Sequence, residues 1–155
     1  MNKKLNVAID TCGYCKYEDL IKLCENAQVI LYDIKHMDDE KHRELTAVGN
    51  ELIHSNLRAL CQQSSIRNKI CIRIPLIHNV NDTIENLTEV CKMMNVLGLK
   101  RVDGLPYHSL GTSKSRKIEQ QPVEFQTPPD EHIDKIIELF KSYCLKINIM
   151  GRDIN

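Results

Sequence analysis

The sequence has no excess of either charge and no long hydrophobic run. Lys and Arg together number 21, and Asp and Glu together also number 21, so the formal net charge is zero. No basic patch indicates a nucleic-acid partner, and no block of like charges indicates a disordered tail. No apolar stretch approaches the roughly 20 residues that a membrane-spanning helix needs. We therefore expect neither a nucleic-acid partner nor a membrane partner.

A secretory signal is also missing from the N-terminal residues. The apolar stretch that follows Lys3 and Lys4 stops at Asp10, which is too short for the core of a signal peptide. We therefore expect a cytoplasmic, reducing environment in which the seven cysteines do not form a disulfide framework. Five of them are expected to be small buried hydrophobes on helix faces or in a strand, namely Cys24, Cys61, Cys71, Cys91 and Cys144.

The residues that are present predict one α/β domain over residues 1–155. The chain is 42% hydrophobic and 27% charged, as in ordinary globular domains. Apolar runs predict strands at 5–10, 29–34, 69–75, 100–105 and 146–150, the fourth weakened by Asp103-Gly104. Helical spacing predicts helices at 17–27, 36–46, 50–63, 82–98 and from 127. This alternation is typical of right-handed βαβ units and a mostly parallel sheet, with too few strands for a closed barrel.

Local signals predict how two of the helices begin. Asp82 is expected to cap the helix that ends at Gly98, with Glu85 completing a capping box. Thr127 is expected to cap the last helix, with Pro128 in its first turn. Four of the histidines are expected to be ordinary solvated side chains. His78 is expected in a loop, and His42, His54 and His132 are expected on helices.

Polar side chains end the predicted strands. They are Asp10, Asp33, Lys35, Arg73 and His108. Since the carboxyl ends of parallel strands meet at one edge of a sheet or barrel, these groups are expected to share a ligand site. The alternative is that each is a separate loop group with its own local partners.

Seven segments, in this order and at these spacings, carry a resemblance to a known family. They are Asp10-Thr-Cys-Gly-Tyr14, Leu31-Tyr-Asp-Ile-Lys-His-Met37, His42-Arg-Glu-Leu-Thr46, Asn50-Glu-Leu-Ile53, Ile72-Arg-Ile-Pro-Leu-Ile77, Asn81-Asp82 and Leu105-Pro-Tyr-His-Ser-Leu-Gly111. Together they resemble the glycyl-radical-enzyme activating enzymes, the pyruvate formate-lyase activase group of radical S-adenosylmethionine (SAM) proteins. The resemblance runs from about residue 5 to residue 150.

The resemblance implies an incomplete radical SAM partial (β/α) barrel, formed by the last four or so βα units of a (β/α)6 architecture. It also implies SAM and a [4Fe-4S] cluster as cofactors of the full-length family. Reductive cleavage of SAM gives a 5′-deoxyadenosyl radical, which takes a hydrogen atom from a glycine of the partner, a glycyl radical enzyme. The chain would be the C-terminal part of such an activase, and a separate N-terminal half is a possible second partner.

The same resemblance assigns roles to the residues at the strand ends. Asp33, Ile34 and Lys35 would contact SAM, and His108 would lie by its adenosyl part. Arg73 would meet the polar end of SAM. Asp10 and Thr11, with Asp33 and the Leu31 carbonyl, would form a small cation site beside the SAM carboxylate. These residue types suit the ligand, because Lys and Arg bind carboxylates and Asp binds an ammonium group or a cation.

One departure from the family is large, because the sequence has no C-x3-C-x2-C segment to hold the cluster. The one close pair is Cys12-Gly-Tyr-Cys15. It could be part of the family's turn with no thiol chemistry, a thioredoxin-type redox pair, or a zinc or cluster ligand pair.

Three functions remain open at this point. One is an activase fragment that is inactive alone. The second is a non-catalytic module that binds or complements a partner, or a gene remnant. The third is an unrelated α/β enzyme that uses Asp10, Asp33, Lys35 and His108 with a divalent metal.

Overall fold

The computed structural model describes residues 6–107 and 125–150, which form five parallel strands and six helices. The strands are β1 (Ala8–Thr11), β2 (Val29–Asp33), β3 (Ile70–Leu76), β4 (Arg101–Pro106) and β5 (Lys146–Ile149). The helices are α1 (Tyr17–Asn26), α2 (Asp39–Thr46), α3 (Glu51–Cys61), α4 (Ser64–Arg67), α5 (Ile84–Leu97) and α6 (Asp130–Ser142). None of these helices is long and apolar enough to cross a membrane.

The strands lie in the sheet in the order in which they occur in the chain, β1-β2-β3-β4-β5, and every pair is parallel. Right-handed crossovers that always step in one direction place all their helices on the same face of the sheet. A sheet wound in this single direction is a segment of barrel wall. It differs from a doubly wound sheet, in which the strand order reverses and helices cover both faces. The predicted partial barrel is therefore confirmed, with five strands in the described residues.

Alternate side chains of each strand face the helices and form the core. In β2, Ile30 and Tyr32 are fully buried, whereas Val29, Leu31 and Asp33 are only partly buried. The buried strand residues cluster with apolar residues of the helices, among them Leu20, Leu57, Leu87, Val90, Ile136 and Phe140. The other face of the sheet, here called the open face, carries the partly exposed alternates. Asp10, Asp33 and Arg73 project from it.

Both predicted helix starts are wrong, and in each case the expected cap has another partner. Thr83, and not Asp82, caps α5, because its hydroxyl accepts a hydrogen bond from the Asn86 amide at 3.3 Å. Asp82 is buried and binds histidines. Helix α6 begins after Pro129, and the Thr127 hydroxyl donates to the Tyr107 carbonyl instead. The predicted end of α5 at Gly98 is confirmed.

Strand β4 runs through Asp103-Gly104 without the predicted weakness. A Cβ at Gly104 would lie 2.6 Å from Ile149 Cδ1 and 3.1 Å from Leu76 Cδ1. Glycine is therefore the residue that lets these two apolar side chains pack across the strand.

Three expectations about exposure are also wrong. Cys144 is exposed and follows α6 with a φ of 57°, so it is no core residue, whereas Cys24, Cys61, Cys71 and Cys91 are buried as expected. His42 and His54 are only 2% and 7% exposed. His42 is buried because its Nδ1 binds the Val48 carbonyl, at 2.7 Å, in the turn that follows α2.

Candidate functional site

Asp33, at the end of β2, has a cationic partner at each carboxylate oxygen. Arg73 Nε donates to Oδ1 at 2.6 Å, and Lys35 Nζ donates to Oδ2 at 2.8 Å. The Asp33 side chain is only 13% exposed, so both ion pairs are partly shielded from water. Charge-assisted hydrogen bonds of this kind are short and roughly twice as strong as neutral ones.

Arg73 also reaches a second carboxylate. Its Nη2 donates to Asp10 Oδ1, although the Asp10 side chain is 57% exposed. The guanidinium therefore joins β1, β2 and β3 at their carboxyl ends. The hydrogen bond with Asp33, followed by that with Asp10, raises the pKa of Arg73 above its usual value. The group stays cationic at every relevant pH.

Strand register explains why these side chains meet. Asp33 lies directly beside Arg73 in the β2–β3 pair, and Asp10 lies beside Leu31 in the β1–β2 pair. Side chains two residues apart share a face of a strand, so Asp10, Leu31, Asp33 and Arg73 all project from the open face. Four predicted site residues, Asp10, Asp33, Lys35 and Arg73, are thus brought together. We call them the rim cluster.

Two of the other three predicted site residues, Ile34 and Thr11, do not direct their side chains to the rim cluster. Ile34 is 2% exposed and contributes backbone, since its amide donates to the Arg73 carbonyl at 2.9 Å. Thr11 faces the helix side beside Tyr32, and its hydroxyl accepts from the Gly13 amide at 2.9 Å. His108 lies outside the described residues.

A buried asparagine holds the backbone that carries Lys35. The Asn81 amide nitrogen donates to the carbonyls of Lys35 and Pro75, and its oxygen accepts from the Ile77 amide at 2.8 Å. One side chain therefore fastens the segment after β2 to the end of β3.

Two more asparagines extend this scaffold. Asn50 donates to the carbonyls of His36 and Met37 at 3.0 and 2.8 Å. Asn86 accepts from the Met37 amide at 2.9 Å. None of the three was predicted to position the site. Asn50 and Asn81 do lie within the matched segments, and this membership was the available signal.

The turn that follows β1 is rigid. Gly13 has a φ of 71°, and a Cβ there would overlap the Tyr32 hydroxyl. That hydroxyl donates to the Ile53 carbonyl at 2.7 Å, and burial raises the pKa of Tyr32. Asn56 donates to the carbonyls of Gly13 and Cys15, both at 2.8 Å. The turn is therefore built by packing and backbone hydrogen bonds.

The Cys12–Cys15 pair has little of the character of a redox site. Cys12 is exposed and Cys15 is partly buried. Burial, then the charges of Asp19 and Cys12, raises the pKa of Cys15. Reactive thiols instead have lowered pKa values beside cations or helix N-termini. This favours a structural turn over a thioredoxin-type pair.

A groove continues from the rim cluster across the open face. It has a volume of about 300 Å³, and Leu31, Cys71, Arg101, Asp103 and Lys146 are among the residues that line it. Asp103 is the register neighbour of Arg73, so the groove and the rim cluster are adjacent. The open face thus combines a charged rim with a partly apolar floor.

Comparisons with known proteins relate this chain to one family, although no protein-family model matches it. The chain is 40% identical over 155 residues to the trans-4-hydroxy-L-proline dehydratase activating enzyme of Clostridioides difficile. This alignment covers 97% of the chain but 50% of the relative. The chain therefore spans about half the length of the curated relatives it matches.

Solved structures agree with the sequence comparison. A domain of the pyruvate-formate lyase-activating enzyme from Bacteroides vulgatus superposes with a TM-score of 0.77 at 28% identity, covering 95% of this chain and 82% of that one. A radical SAM methyltransferase from Sphaerobacter thermophilus shares the fold, with a TM-score of 0.64 at 16% identity, over 92% of this chain and 39% of that one. The chain is thus homologous, over nearly its whole length, to about half of a glycyl-radical-enzyme activating enzyme.

Proposed function

We propose that the chain is the SAM-binding portion of a glycyl-radical-enzyme activase. The observation that carries the proposal is the rim cluster, in which acids and cations of three adjacent strands meet on the open face. In barrel folds, ligands bind at this carboxyl end of the strands. The relatives that match the chain are activating enzymes, which agrees with this assignment.

The residues of the rim cluster fit SAM. The ligand carries a carboxylate and an ammonium group on its methionine part. Arg73 and Lys35 suit the carboxylate, and Asp33 and Asp10 suit the ammonium group or a cation. Each Asp33 oxygen already has one cationic partner and keeps a further lone pair, so the ligand would either share the existing ion pairs or displace one of them.

The cysteines of this chain do not fit the family's [4Fe-4S] cluster. The sequence lacks the C-x3-C-x2-C spacing. Cys24, Cys61 and Cys91 are buried in the core, and Cys71 is buried beside the groove on the open face. Burial raises the pKa of Cys61 to about 11 and the pKa values of Cys71 and Cys91 to about 12, which disfavours the thiolate that iron needs. We therefore propose that the cluster's ligands come from a part of the activase outside this chain.

In this proposal the chain is inactive alone and works with a cluster-bearing half on a glycyl radical enzyme. The alternatives are a module that binds a partner without catalysis, and a gene remnant. An adjacent reading frame that encodes C-x3-C-x2-C would support the split activase. Its absence from the genomic neighbourhood would favour one of the alternatives.

Calorimetric titration of SAM into the full chain tests the proposed site. We expect binding that is at least tenfold weaker for Asp33→Ala, because both Arg73 and Lys35 lose the partner that positions them. The matched control is Glu89→Gln on α5, whose carboxylate forms an exposed pair with Lys92. Equal heats from the wild type and Asp33→Ala would remove Asp33 from the site.

A further inference from the structure

A second polar cluster lies away from the rim cluster, where three elements meet. His78 follows β3, Asp82 precedes α5, and His132 lies in the first turn of α6. His78 Nδ1 is 3.0 Å from Asp82 Oδ2, and His132 Nε2 is 3.1 Å from the same oxygen. The two imidazole rings meet edge to face, with centroids 5.5 Å apart. We call these three residues the His–Asp–His cluster.

Asp82 is a buried carboxylate that needs positive charge. Its side chain is 1% exposed, and its Oδ1 accepts from the Asn79 amide at 2.8 Å. In the part of the chain that the structure describes, its ion-pair partners are the two histidines, with no lysine or arginine among them. An ionised carboxylate buried without compensation is costly, and an imidazolium or a metal ion beside it would offset that cost.

The geometry of the three ligand atoms suits a metal ion. One ligand atom from each of the three residues can be chosen so that all three lie within 4.8 Å of one another. In a tetrahedral zinc site with bonds of about 2.0–2.1 Å, neighbouring ligands are roughly 3.3 Å apart. The observed nitrogen–oxygen separations are shorter by a few tenths of an ångström, so small side-chain movements would admit the ion. The Asn79 amide already orients Asp82, as outer partners of ligating carboxylates do.

We propose that His78, Asp82 and His132 bind a first-row divalent metal ion, with Zn²⁺ as the expected occupant. Two imidazoles and one carboxylate form a common zinc ligand set, which leaves a fourth position for water. The ion would tie α6 to the junction of β3 and α5. It would replace the contact at 2.9 Å between His132 Nε2 and the Asp82 carbonyl, which an N–H group makes in the metal-free state. The proposal of this metal site does not rest on SAM binding at the rim cluster.

The competing reading is a hydrogen-bonded cluster that never takes up metal. Zn²⁺ titration of the chelator-treated full chain, by calorimetry and elemental analysis, separates the two. We expect one equivalent of Zn²⁺ in the wild type, and binding at least tenfold weaker in His78→Gln and in His132→Gln. The control variant is Cys12→Ser/Cys15→Ser, which removes the only close cysteine pair and is expected to bind Zn²⁺ normally.

A Co²⁺ spectrum of the wild type identifies the ligands even if a histidine variant fails to fold. We expect visible ligand-field bands and no thiolate-to-cobalt charge-transfer band in the near ultraviolet. The proposal is overturned by no stoichiometric uptake, by unchanged affinity in folded histidine variants, by loss of uptake in the cysteine variant, or by a thiolate band.

Discussion

Gly13 shows how one residue fixes the turn beside the rim cluster. Gly13 and Gly98 have nearly the same φ, 71° and 69°, so alanine at either position meets the same backbone strain. They differ in their surroundings. A Cβ at Gly13 would overlap the Tyr32 ring, whereas at Gly98 the nearest atom is Arg67 Cδ at 3.6 Å, an ordinary contact.

We therefore predict that Gly13→Ala lowers the free energy of unfolding by more than Gly98→Ala does. Strain alone is expected to cost about 1 kcal/mol at either site, and overpacking to add a further 1–3 kcal/mol at Gly13. Urea unfolding followed by circular dichroism measures both variants. Equal losses would show that Tyr32 moves aside and that the turn is not fixed in this way.

His54 makes stability depend on pH near neutrality. Burial, followed by the charge of Arg58, lowers the pKa of His54, and its Nε2 has no hydrogen-bond partner among residues 6–107 and 125–150. The unfolded chain, with a pKa of about 6.5, binds the proton more readily than the folded chain. Stability is therefore fully present above about pH 6.5 and falls as the pH drops toward the lowered pKa of the folded state.

Replacing His54 with Leu removes this proton linkage. We predict that the wild type loses more unfolding free energy between pH 7.5 and 5.5 than His54→Leu does, by up to about 1.4 kcal/mol per pH unit. Denaturant unfolding at several pH values gives both curves. Parallel curves would mean that His54 titrates alike in the folded and unfolded chains.

At the scale of elements, strand positions and the start of α1 at Tyr17 were readable from the sequence, whereas the caps of α5 and α6 were not. A strand such as β2 can be predicted from its β-branched apolar run, which ends in Asp33. The identity of a helix cap depends on which of several neighbouring polar side chains accepts the hydrogen bond from the backbone amide in the first turn. Both Asp82 and Thr83 can cap a helix, but Asp82 instead pairs with His78, four residues before it, and with His132, which is distant in sequence. The His–Asp–His cluster could not be predicted from the sequence, because His132 and Asp82 are 50 positions apart.

The meeting of Asp10, Asp33, Lys35 and Arg73 was predictable, since parallel strands end at one edge. Which of these side chains form ion pairs with one another was not predictable. That Arg73 bonds both Asp33 and Asp10 follows from the Asp33–Arg73 register, which local sequence does not specify. The asparagine scaffold was also missed, because a buried amide and an exposed one look alike in sequence.

The Asn81 side chain connects the segment after β2 to the end of β3 through three hydrogen bonds. Removing this side chain is therefore expected to destabilise both elements. We predict that Asn81→Ala lowers the unfolding free energy by about 2–5 kcal/mol, because three partly buried backbone groups lose their partner. Denaturant unfolding measures it, with Asn26→Ala as the control, since exposed Asn26 makes one bond to the Lys22 carbonyl. A loss at Asn81 no larger than at Asn26 would contradict the scaffold.

At the scale of the whole molecule, the chain supplies a sheet with one open face and about half the length of its relatives. The cysteine pattern predicts that it does not assemble the family's cluster by itself. Anaerobic incubation with iron and sulfide, followed by metal analysis and visible absorption, is expected to give no stoichiometric cluster. A stoichiometric cluster that cleaves SAM would show that the chain is complete for catalysis.

The central claim is that the rim cluster of this chain binds SAM. Amide chemical shifts of the isotope-labelled full chain, recorded during a SAM titration, test it most directly. We predict saturable shifts concentrated at Asp10, Asp33 to Lys35 and Arg73, with little change at residues that precede the strands on the opposite edge of the sheet, such as Asn68 and Lys100. Saturable shifts centred on those distant residues, or none at all, would contradict the account.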